Sequence, residues 1–317
     1  MSLLLTLVDA EQLELVESSL HIADSEPFIV VRVGEPIKKE KAADRIFYVD
    51  ECTLSMIKVN QFTKTCAITD EIRWFEITQI CLCNQMAFQI HTSTTQITVK
   101  SELYFEILLV LTRFITDICL PNELPLLLVP DIKYDVVLHS PLAAYRRLRT
   151  KYPEVPESIG ASLKKLLLSG VYELDYIVMD PSCKFLREIL DAIQIEPSVT
   201  SLFLHNPNNE TFWLDIAPFF STNSTIESLR TFDPINNDFM VFVDALATNP
   251  NSKLTRFEFI NSRIGAKTQR IFLTLFAKRN PSHLTIHSNM MGDQLYNFLS
   301  NINTLNCFER LVFLGVD

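Results

Sequence analysis

Few residues in this 317-residue chain have the types and spacing that chemistry requires. His283 and His287 stand four apart, the spacing at which two imidazoles on one helix face hold zinc. They fall in an alternating, strand-like stretch instead, where a rise of ~3.3 Å per residue sets them about 13 Å apart, and no Glu completes an HExxH arrangement. Cys81 and Cys83 form a CxC pair with no second pair at zinc-finger spacing, so buried free thiols are expected. A nucleophile needs a base and an orienting group, and no Ser or Cys sits in a recognisable elbow. The 6 glycines (34, 160, 170, 265, 292, 315) lie at least ten residues apart. That spacing excludes GxSxG, GxGxxG and GxxxxGK[ST], which need close glycines for a tight turn or for backbone to approach phosphate. No catalytic residue, metal ligand or cofactor is expected, and the chain does not read as an enzyme.

Cations are the next resource. Lys38, Lys39 and Lys41, followed by Arg45, occupy one strand connection, diluted by Glu35, Glu40 and Asp44. They fit a solvated hairpin tip or a weak contact with anionic lipid, at ~1 kcal/mol per surface cation. Arg146, Arg147 and Arg149 fall on a short basic helix, Pro141 to Lys151, which reads as a capping helix with a solvated face or as a patch for lipid or an acidic partner. Net charge is −10, which argues against nucleic acid, since phosphate contacts need clustered cations. Apolar runs such as Ile107 to Leu111 fall far short of the ~20 residues that span a bilayer. Seven scattered cysteines fit a reducing compartment better than a disulfide framework. The expected location is cytoplasmic.

These residues must be positioned by elements that change character near residue 120. A helix is predicted over Val8 to His21, with Asp9 as N-cap and Leu13, Leu15, Val16 and Leu20 on one stripe. Strands are predicted at Pro27 to Val33, Arg45 to Val49, Thr53 to Val59, Arg73 to Cys83, Ala87 to His91 and Gln96 to Val99, rich in β-branched and aromatic residues. A long amphipathic helix follows Ser101 and stops at Leu120–Pro121. Short antiparallel strands closed by one C-terminal helix resemble the pleckstrin-homology fold, a β-barrel or sandwich in which the first strand connection grips phosphoinositide headgroups. The basic pair usual on the second strand is missing, because Ile46 and Phe47 follow Arg45. Residues 1–120 carry 10 Lys and Arg against 17 Asp and Glu, so tight lipid recognition is not expected.

Six prolines and no repeat mark residues 121–160 as a linker with a capping helix. Beyond it an internal period of 27 to 28 residues dominates. Leu174, Leu202, Leu229, Phe257, Leu284 and Leu311 form one column, and two positions later stand Tyr176, Leu204, Thr231, Phe259, Ile286 and Phe313. A second column, Ile189, Ile216, Val243, Ile271 and Phe298, is paired four residues on with Ile193, Phe220, Ala247, Leu275 and Ile302, the buried face of a helix. Five strand–helix units and a final strand are predicted, each needing its neighbours to bury its apolar faces. The pattern resembles the helix-containing, ribonuclease-inhibitor-like leucine-rich repeats, α/β solenoids. In such a solenoid Phe203, His205, Arg230, Arg256, Glu258, His283, Thr285, His287, Arg310 and Val312 would line the concave face. That mixture of aromatics and Arg suits a protein partner, or it is a solvated face.

The domain organisation is therefore 1–120, an N-terminal helix with the pleckstrin-homology-like fold; 121–160, linker; and 161–317, repeats. In this order the chain resembles the N-terminal half of CARMIL-family proteins. The closer matches are the stretch Trp74-Phe75-Glu76-Ile77-Thr78-Gln79-Ile80, the helix from Ile107 to Leu120, and a Tyr-containing linker. The resemblance implies a scaffold of the actin cytoskeleton, peripheral at the plasma membrane, with protein partners and anionic lipid. A regulator of a small GTPase, acting through the same repeat face, is the alternative. Family solenoids are longer. The reading is either a longer chain cut short or a short relative whose last strand is covered by a partner or a second copy, giving a homo-oligomer.

Overall fold

The computed structural model describes residues 5–8, 10–20, 29–33, 45–60, 63–84, 86–134, 139–170, 172–206, 210–260, 270–275, 281–287, 293–303 and 309–314. They form two units, Met1–Glu154 and Val155–Asp317.

In the first unit, alternating apolar side chains build two sheets. The first runs β1 (Leu5–Leu7), β2 (Ile29–Val33), β3 (Arg45–Val49), β4 (Thr53–Asn60) and β5 (Thr65–Arg73), with β1 parallel to β2 and the rest antiparallel. The second has the order β8-β7-β6-β9, from β6 (Gln79–Asn84), β7 (Ala87–His91), β8 (Gln96–Lys100) and β9 (Leu126–Leu128). Ile29, Val31, Phe47, Val49 and Leu54 share one core with Ile80, Phe88, Ile90 and Val99, closed by Ile107, Leu111, Ile115 and Ile118 of helix α2 (Tyr104–Ile118). The other face of the first sheet, Val30, Ile46, Tyr48 and Ile57, packs on Val16 of α1 (Ala10–Leu20). Strand β3 is buried on both faces, which is why it reads as a continuous apolar run. The Asp9 cap lies outside the described residues.

Strands β1 and β5 correspond to no predicted strand, and two further features of this unit depart from the predicted elements. The stretch from Arg73 to Cys83 is not one strand. Strand β5 ends at Arg73, a 3-10 turn spans Trp74–Glu76, and β6 starts at Gln79. The turn lets Trp74 point inward, where its Nε1 donates to the Asp50 carbonyl at 3.1 Å and its ring lies 4.5 Å from that of Phe114. Nor are residues 121–154 a linker. Strand β9 pairs parallel with β6, and α3 (Ala143–Lys151) buries Ala143, Ala144, Arg147 and Leu148 in the first unit.

The second unit opens with α4 (Glu157–Ser169), whose C-cap Gly170 holds φ at +69°, a left-handed position that side chains disfavour. Six strands then form one parallel sheet in chain order: β10 (Glu173–Asp175), β11 (Ser201–Leu204), β12 (Ser228–Thr231), β13 (Arg256–Phe259), β14 (His283–His287) and β15 (Arg310–Leu314). Leu174, Leu202, Leu229, Phe257, Leu284 and Leu311 are register partners from one strand to the next, so the 27-to-28-residue step is one strand of the sheet. Between strands lie α5 (Tyr176–Met179) and α6 (Leu186–Ile193), then α7 (Phe212–Phe220), α8 (Phe239–Thr248), a helical segment at 270–275 and α9 (Asp293–Asn303).

Aromatic rings fill this core. Trp213 meets Phe239 and Phe242 at centroid distances of 4.5 and 5.2 Å, and Phe272 continues the stack to Phe259 at 5.0 Å and Phe298 at 5.9 Å. Buried polar side chains tie the turns together. Asn249 Nδ2 donates to the carbonyls of Phe220 and Asn223, one repeat back. Asp180 accepts from the amides of Ser182, Lys184 and Phe185, and Asn206 Nδ2 donates to the Cys183 carbonyl. Buried backbone groups outside the ladder need such partners.

Candidate binding face

In β11 to β14 the column side chains are buried, and the alternate residues turn to the open face. Register places Ser201, Ser228, Arg256, His283 and Arg310 in one row, and Phe203, Arg230, Glu258, Thr285 and Val312 in the next. The sheet thus brings together residues that stand 27 or 28 apart in the chain.

A connected group forms at the centre of the face. The Arg230 guanidinium lies 4.8 Å over the Phe203 ring, and its Nε is 3.3 Å from Glu258 Oε2. Glu258 Oε1 also meets His287 Nε2 at 3.1 Å. Phe203 packs on Phe232 at 5.4 Å, and His205 meets the same ring edge-on at 5.3 Å. His205 Nδ1 lies 3.4 Å from Asp233 Oδ2. Asp233 is buried and accepts from the Asn206 amide and the Thr231 hydroxyl. Burial raises its carboxyl above the usual range, against the pull of those hydrogen bonds and of His205.

The predicted face residues differ in their engagement. Phe203, His205, Arg230, Glu258 and His287 are fixed to one another as above. His283 bonds with Ser282 Oγ at 2.9 Å and lies 4.0 Å from exposed Glu309. Arg256 and Arg310 are exposed, and among the described residues neither has an ion-pair partner. Phe232 and Asp233 belong to the group but were not among the expected face residues, because both lie beyond the end of β12. The one signal for Asp233 is its 27-residue spacing from Asn206.

The remaining expected sites come out differently. Lys38, Lys39 and Lys41 lie outside the described residues. Arg45 points its Nη1 to Thr69 Oγ1 at 3.4 Å and to Asp70 at 4.0 Å. Two of the three arginines of the basic helix are engaged within the first unit rather than solvated. Arg146 bonds with Glu51 and Asp117, and wholly buried Arg147 with Glu123. Cys81 and Cys83 are not buried thiols. Ile80 occupies the core, so alternation turns both cysteines outward, where Cys81 Sγ lies 3.4 Å from His91 Nε2. Among the described residues no group of three or more His, Cys, Asp or Glu is placed to hold a metal ion, and no helix is long and apolar enough to cross a membrane.

No family model matches the chain, and no curated protein matches it.

Proposed function

We propose that the chain is a non-enzymatic protein-interaction scaffold whose second unit binds a partner on the open face of its parallel sheet. The observation that carries this reading is the group formed by Phe203, Arg230, Glu258 and His287. Stacking and ion pairing hold these side chains in place before any partner arrives, which lowers the ordering cost of binding. Arg and aromatic side chains are also the types that dominate interface energies.

The fold reading that goes with it is a leucine-rich repeat solenoid preceded by a pleckstrin-homology-like unit. In its support, strand and helix recur with a step of 27 to 28 residues along a six-stranded parallel sheet. Strands β2 to β5, then β6 to β8, then α2, follow the order of the pleckstrin-homology fold. With the sequence resemblance to CARMIL-family proteins, this makes the proposed setting the actin cytoskeleton, in the cytoplasm or at the inner surface of the plasma membrane. Lipid contact through Lys38, Lys39 and Lys41 is proposed as weak, because Arg45 is held by Thr69 and Asp70.

Affinity capture from a cell extract, with the whole chain and with a Phe203→Ala/Arg230→Ala variant side by side, tests the proposal. The expected result is one or more cytoskeletal proteins held by the wild type and lost from the variant. Identical captures by the two proteins, with both still folded, would refute it.

A further inference from the structure

Charge is unevenly spread along the second unit. Residues 155–252 carry five Lys and Arg against thirteen Asp and Glu, whereas residues 253–317 carry eight against four. The basic stretch contains the last three strands, β13 to β15. On their open face Arg256, His283 and Arg310 are direct register partners, set side by side at the inter-strand spacing of about 4.8 Å. Of the carboxylates at this end of the face, Glu258 is paired with Arg230 and His287, and Glu309 is exposed, 4.0 Å from His283. Arg256 and Arg310 are exposed and, among the described residues, hold no ion pair. Arg256 and Arg310 flank His283 from either side, two strands apart, so an anion laid across the strands meets both guanidinium groups.

We infer that the β13–β15 end of the open face, through Arg256 and Arg310 with His283 between them, is a docking site for an acidic segment of a protein partner. This rests on the interaction-face reading above and deepens it. A protein segment fits better than nucleic acid. Nucleic acid would need a longer cationic track and would meet a chain of net charge −10. The row is about 10 Å wide, matched to a few carboxylates, and it adjoins the apolar rings of Phe203 and Phe232 through Arg230.

The test is fluorescence anisotropy with the whole chain and a labelled peptide in which Glu alternates with Tyr or Val, beside the same peptide with Gln for Glu and an oligonucleotide of equal charge. The expected result is binding of the Glu peptide at least about tenfold tighter than the Gln peptide, weakened by salt as electrostatic contacts are. Arg256→Gln/Arg310→Gln removes the preference and Lys165→Gln, on the exposed side of α4, does not, with unchanged thermal midpoints showing that both variants fold. Equal affinity for the two peptides, tighter binding of the oligonucleotide, or a preference that survives Arg256→Gln/Arg310→Gln overturns the inference. A captured partner lost on Phe203→Ala/Arg230→Ala but indifferent to Arg256→Gln/Arg310→Gln overturns it while leaving the interaction face intact. A partner indifferent to both variants overturns both.

Discussion

The guanidinium of Arg147, wholly buried in α3, grips both carboxylate oxygens of Glu123, Nη1 to Oε2 at 2.5 Å and Nη2 to Oε1 at 3.0 Å. A further Nη1 bond reaches the Ile118 carbonyl, and Lys151 Nζ meets Glu123 Oε1 at 2.6 Å. Both cations also lie 5.4 Å from the centre of the Phe75 ring. This is the joint that closes α3 onto the first unit. Removing one side of a buried pair leaves the other charge stranded, at a cost of about 3–5 kcal/mol. Arg147→Ala is therefore expected to lower the urea midpoint of the first unit. Trp74 and Trp213 are the only two tryptophans, one in each unit, so fluorescence in a Trp213→Phe background reads the Trp74 transition alone. The Trp213 transition, read in a Trp74→Phe background, should not move with Arg147→Ala.

The same pair sets a pH dependence. Burial alone would raise the Glu123 carboxyl, but the hydrogen bonds from Arg147 and Lys151 outweigh it and bring the group down to about 2. A carboxyl depressed in the folded state adds stability above its unfolded value, near 4.5, and loses it as pH falls towards 2. The urea midpoint of the first unit is expected to fall across that window. Glu123→Gln should lower the midpoint at neutral pH and flatten its slope with acid. A wild-type slope unchanged by Glu123→Gln would assign the acid sensitivity to other carboxyls.

Phe239 is the hub of the second core, within 6 Å of the ring centroids of Trp213, Phe242, Phe259 and Phe272. Phe239→Ala is expected to cost about 3–5 kcal/mol through lost contacts and the cavity left behind. The check is a shift of the Trp213 fluorescence transition, with Trp74 unaffected.

Arg230→Ala should behave in the opposite way. The Arg230 side chain is 39% exposed and its ion-pair partner Glu258 31%, so the pair adds at most about 1 kcal/mol to stability. Thermal midpoints of wild type and variant are expected to agree within a few degrees, while partner capture is lost. A large drop in midpoint would instead mark Arg230 as part of the structural frame.

Legibility in the sequence followed how repetitive each environment is. The leucine column became one row of the sheet because every repeat imposes the same buried position, and the 28-residue spacing of Arg230 and Glu258 is one such step. Strand β5 was not legible: it lies at a sheet edge with most residues exposed, so Thr65–Arg73 shows no clean alternation. The turn at Trp74 was hidden for a related reason, since an apolar run does not reveal where the chain must bend to bury an indole. Prolines made 121–154 look like a linker, because the partners of Arg146 and Arg147 are carboxylates 24 to 95 residues away that no local pattern connects. Phe232 and Asp233 escaped notice on the face because they lie just past the strand, where the two-residue alternation stops.

Hydrogen exchange of the whole chain, alone and with a captured partner, tests the interaction face most directly. The account predicts slowed exchange confined to the strand segments 201–206, 228–233, 256–260, 283–287 and 310–314. Protection on helices α6 to α8 instead, with these segments unchanged, would contradict it.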